Sequence, residues 1–78
     1  MNIQETGLLL AKIALIENRS ATNEMILAWT ELLHDVDYED ARDALIRHYR
    51  HSTDAVKPAH IIRGAKEIRA EKKKRIFE

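Results

Sequence analysis

The chain has no cysteine, one proline and two glycines among 78 residues. Without cysteine there is no disulfide to staple the fold, no thiol nucleophile and no Cys-based zinc site. The same absence suits a reducing, cytoplasmic setting. No apolar run approaches the roughly 20 residues needed to span a bilayer, so no membrane association is expected. The N-terminal stretch MNIQETGLLLAKIALIE has no basic leading region, is interrupted by Lys12 and has no small-residue cleavage site after it. It does not read as a signal peptide. Catalytic patterns are missing too: there is no Ser-His-Asp constellation, no Gly-rich phosphate loop and no HExxH. The paired carboxylates Glu39 and Asp40 stand at a solvated helix start, where capping explains them. His48 and His51 are three apart, but a stable metal site needs three or four ligands and a second layer of support. Nothing in the spacing brings His34 or His60 to them. The expectation is a binding module with no catalytic residue, no cofactor and no metal.

What remains is rich in helix formers. Seventy-eight residues make one domain at most. A domain this small buries only about 60–65% of the surface its unfolded chain exposes, so its stability is modest. The apolar spacing predicts an all-α, compact four-helix domain with a basic C-terminal helix, with helices over about 3–17, 23–34, 38–51 and 58–75. In the first helix Ile3, Leu9, Leu10, Ile13 and Ile16 recur at helical spacing, and Leu8 and Leu15 widen the face. Gly7 reads as a point of close helix approach. Thr22 is the N-cap expected for the second helix, where Met25, Trp29, Leu32, Leu33 and Val36 form one stripe and Trp29 is core. Asp37 is the expected cap of the third. There Tyr38, Ala41, Leu45, His48 and Tyr49 share a face, and the small Ala41 and Ala44 invite a neighbouring helix close. Asp43 and Arg47 read as an i,i+4 pair. His48 reads as a partly buried histidine that hydrogen-bonds the turn before the last helix. Val56 reads as a hydrophobic plug, and Pro58 fits a first helical turn, where a missing N–H costs nothing.

Charge is divided along the chain. Residues 1–56 carry five basic and ten acidic side chains, whereas residues 57–78 carry eight basic and three acidic. On the last helix Ile61, Ile62, Ala65 and Ile68 face inward. The apolar stripe then stops, and the last two turns are expected to project past the body or fray, with a Glu71–Arg75 pair to support them. The candidate partner-binding residues are Arg63, Lys66, Arg69, Lys72, Lys73, Lys74 and Arg75. Basic residues at a helix C-terminus also complement its dipole. A short turn followed by a basic helix loosely fits a helix-turn-helix, but recognition helices read bases from their N-terminal turns, here Pro58-Ala59-His60. The acidic start of the third helix (Glu39, Asp40, Asp43) is open to a second partner. The wide apolar face of the first helix allows a weak homodimer as well as a monomer.

One ordered set of residues carries a resemblance. Trp29-x-x-x-Leu33, Tyr38-x-x-Ala41-x-x-Ala44, His48-Tyr49, Val56-x-Pro58-Ala59-x-Ile61-Ile62 and the stretch from Arg63 to Arg69 resemble the phage replicative-helicase loader and inhibitor family. The likeness runs from about Glu5 to Lys72. It implies a small all-helical phage protein in the host cell cytoplasm. Such a protein binds the replicative hexameric helicase and works with an origin-binding initiator, holding the helicase's ATPase and unwinding in check until release. In that family a flexible C-terminal segment implicated in gripping the helicase follows the helical domain. Here that segment is either reduced to about Lys72–Glu78 or absent. The alternative is a small DNA-binding or transcription-regulating protein that uses the same basic helix, with non-specific phosphate contact from Lys72 to Arg75.

Overall fold

Asn2 opens the fold as a helix N-cap. Its side-chain oxygen accepts from the Glu5 N–H at 2.8 Å, and Glu5 Oε1 accepts from the Asn2 N–H at 3.0 Å. This reciprocal box satisfies two donors that a helix start otherwise leaves open. It begins the first helix, α1, Ile3–Glu17, of the computed structural model, which describes residues 1–77 and the side chains of residues 1–74. Asn18 ends α1 at φ 53°, a left-handed position that asparagine tolerates.

Thr22 Oγ1 accepts from the Met25 N–H at 3.1 Å and starts α2, Asn23–Leu32. This helix ends two residues before the expected His34. The Met1 amino group closes that end, donating to the carbonyls of Leu33 (3.0 Å), His34 (3.3 Å) and Val36 (2.7 Å). A positive group on the last carbonyls of a helix is where the dipole favours it. α3 spans Tyr38–His51, with Asp37 in the cap position but making no side-chain cap bond. α4 spans Pro58–Phe77, two residues past the expected Arg75.

The core gathers Leu9, Leu10 and Ile13 of α1, Trp29 and Leu33 from the α2 segment, Ala41 and Leu45 of α3, then Val56 and Ile61. Val56 and Ile61 are fully buried, and Ala65 and Ile68 extend the seam along α4. The fold is all-α, as the periodicity indicates. α3 against α4 is its most extensive packing, and α1 lies on α2 and α3. Gly64 makes the α3–α4 crossing possible: a Cβ added there would stand 2.8 Å from Ala44 Cβ.

Several expected contacts differ. The buried seam of α1 is narrower than its apolar face. Ile3, Leu8, Leu15 and Ile16 are exposed, while the polar Thr6 is fully buried. Its hydroxyl is satisfied by the Asn2 carbonyl at 2.8 Å. Leu32 of α2 is also exposed. Gly7 is not a point of close approach, since a Cβ there would meet only Ile26 Cδ1 at 3.9 Å. Arg47 does not pair with Asp43. It reaches across to α4, because a bidentate carboxylate is within range there and fits a guanidinium better than a same-helix neighbour. Among the described residues no helix is long and apolar enough to cross a membrane.

A basic stripe on the last helix and the groove beside it

Two anchors fix the position of α4. At its start, the Lys57 N–H donates to His60 Nδ1 at 2.9 Å. The His60 ring lies 4.6 Å from that of half-buried His48, whose Nε2 donates to the Asp54 carbonyl at 2.9 Å. Beside these rings a polar knot joins three segments. Tyr49 donates its phenolic proton to the Glu17 carboxylate, and the Val56 N–H donates to the same oxygen at 2.8 Å. Arg19 Nε stands 3.2 Å from the other oxygen, and the Glu17 side chain is only 12% exposed. Burial alone would raise the Glu17 carboxyl. The bonds from Tyr49 and Val56 and the charge of Arg19 outweigh it and hold the group below its ordinary range. Burial, then the Glu17 contact, push the Tyr49 phenol well above its ordinary range.

The second anchor lies near the other end. Lys72 occupies an inward position one turn beyond Ile68, and its Nζ donates to Asp40 Oδ1 at 2.6 Å. The hydrogen bond to Asp40 raises the Lys72 ammonium above its ordinary value. Lys72 is thus engaged by Asp40 although its side chain stays 47% exposed, and Asp40 is buried, so it does not belong to an open acidic face. Arg47 grips Glu71 at 3.2 and 2.9 Å and approaches Glu67 at 4.0 Å.

These pairings divide the seven sequence-selected cations. Lys66, Arg69 and Lys73, at spacings of three and four, form one exposed stripe on the side of half-buried Ile62. Arg63 and Lys74, exposed, belong to a different side, which they share with Glu67 and Glu71. None of these five makes an ion pair among the described residues. The side chain of Arg75, and with it the expected Glu71–Arg75 pair, lies outside the described residues.

Next to the stripe runs a groove that composition did not reveal. Its recess measures about 110 Å³. One wall is the turn between α2 and α3 and the start of α3, with Asp35, Asp37 and Asp40, and the other is α4, with Lys66 and Arg69. Val36, Ile62 and Ala65 line the space between. In the sequence Val36 reads as core and Asp37 as a cap; only the fold sets them opposite α4. No group of three or more His, Asp or Glu able to hold a metal occurs among the described residues. No protein-family model, no curated protein and no solved structure matches this chain.

Proposed function

We propose that this chain is a non-catalytic phage DNA-replication accessory protein that binds the replicative hexameric helicase and loads or restrains it. The observation that carries the reading is the basic stripe Lys66, Arg69 and Lys73. It sits on a helix anchored at both ends, and the molecule's own acids leave it unpaired while they take Lys72. Cations held in place and left unneutralised are what electrostatic docking uses. The ordered motif set from Trp29 to Arg69 supplies the identity of the partner class. An acidic wall beside the stripe, with Asp35 and Asp37, favours a protein over a nucleic acid, because phosphates would be repelled there.

The test is co-purification of the untagged protein with the replicative helicase, followed by the helicase's ATPase rate in its presence. A complex at low salt with a changed rate supports the reading. No complex at low salt overturns it. Steeply salt-dependent binding to duplex DNA in its place favours a DNA-binding protein.

A further inference from the structure

We infer that the groove between the α2–α3 turn and α4 receives one aliphatic side chain of a partner protein segment. That segment carries a carboxylate beside the aliphatic residue, toward α4, and a basic group on its opposite flank. The inference rests on the reading of the chain as a protein-binding module and says how recognition works.

Three features of the groove select this occupant. Its apolar recess, about 110 Å³, opens into a wider polar cleft bordered by His34, Asp40 and Lys72. The recess is somewhat smaller than the roughly 150 Å³ cavity that holds a benzene ring, so it admits one aliphatic side chain while the cleft leaves room for the flanking chain. Val36, Ile62 and Ala65 give that side chain an apolar lining. The walls are oppositely charged, yet no ion pair joins Asp35 or Asp37 to Lys66 or Arg69. The turn is held by the Met1 amino group on the Val36, His34 and Leu33 carbonyls, and α4 is held by Lys72 on Asp40. Of the five charged lining residues Asp40 is already taken by Lys72, so walls fixed apart in this way leave four charges for an incoming chain to complement. A run of phosphates satisfies only one wall and meets repulsion at the other. An uncharged apolar segment leaves all four charges partly desolvated and unpaired, which is costly. A segment with both signs flanking an aliphatic residue answers each surface.

The experiment uses the full chain, labelled for amide NMR, and capped synthetic peptides with a central leucine flanked by glutamate and lysine in both orders. The expected result is saturable shifts of Val36, Ile62, Ala65, Lys66 and Arg69. Replacing the peptide leucine by alanine weakens binding by about tenfold. Shifts centred elsewhere, shifts indifferent to the leucine, or none at millimolar peptide overturn the inference. So does a thymidine oligonucleotide that displaces the peptide, or the same shifts arising from protein concentration alone. A second arm compares helicase capture by wild type, Lys66→Glu/Arg69→Glu and Arg63→Glu/Lys74→Glu. Loss confined to the first variant supports the groove. Capture by wild type and both variants alike overturns the groove and leaves the helicase reading standing. No capture by wild type overturns the helicase reading, and the peptide arm then decides the groove by itself.

Discussion

Lys72 Nζ lies 2.6 Å from a carboxylate oxygen of Asp40, a side chain only 9% exposed. This contact turns one residue of a surface lysine run into part of the fold. It predicts that Lys72→Ala lowers the melting temperature measurably, whereas Lys73→Ala leaves it unchanged. Asp40→Ala, which leaves only an exposed ammonium to rehydrate, lowers the denaturant midpoint less than Lys72→Ala, which strands the Asp40 carboxylate buried and unpaired. Under the proposed function, helicase capture ranks the two lysine variants the other way, with Lys73→Ala reducing it more than Lys72→Ala. Equal melting of the two lysine variants would show that the Asp40 contact contributes nothing.

The two glycines are expected to respond with opposite signs. Gly64→Ala brings a Cβ within 2.8 Å of Ala44 Cβ, which belongs to a short, rigid side chain. The crossing must open, at a cost of about 1–3 kcal/mol despite the gain in helix propensity. Gly7→Ala meets only Ile26 Cδ1 at 3.9 Å and gains about 0.5–1 kcal/mol. Thermal melts of the pair decide it, and a stabilised Gly64→Ala would contradict the close crossing.

Trp29 is 8% exposed and belongs to the core cluster. Trp29→Ala is expected to cost about 3–5 kcal/mol. A native domain has only about 5–15 kcal/mol in total, so this variant approaches global unfolding. Far-UV circular dichroism checks it. A variant melting within a few degrees of the parent refutes the core placement.

The knot around Glu17 links stability to pH at both ends of the scale. The Glu17 carboxyl is lowered in the native state, so the unfolded chain binds its proton more readily. Its contribution is present above the ordinary carboxylate range and is lost as pH falls through the lowered native value. The Tyr49 phenol is raised, so its contribution is full below the ordinary tyrosine range and is lost as pH climbs above it. Tyr49→Phe removes a hydrogen bond to a charged group and costs about 1.5–3 kcal/mol at neutral pH. It also flattens the alkaline limb of a stability–pH curve, and an unchanged alkaline limb would assign that loss to other groups.

Much of this was legible in the chain. The spacing of Leu9 and Ile13, of Trp29 and Leu33, and of Ile61, Ala65 and Ile68 marks buried seams, because helical period alone decides which residues share a side. Thr22 and Pro58 mark helix starts by local chemistry. Asn2 with Glu5 carries a capping-box signal of the same kind, and it was there to be read. Exposure of Leu15 and Ile16 was not legible, since period tells which residues line up but not how many neighbours cover them.

The sequence by itself determined four helices, their apolar seams and a basic final rod, since each follows from interactions within a few residues along the chain. Only the tertiary structure decided which cations stay free. Asp40 meets Lys72 and Glu71 meets Arg47 across 32 and 24 residues of separation, through helix packing that no local pattern encodes. The same packing sets Asp35, Val36 and Asp37 opposite Ile62, Lys66 and Arg69, so the groove exists only once α3 and α4 have closed on Ala44 and Gly64.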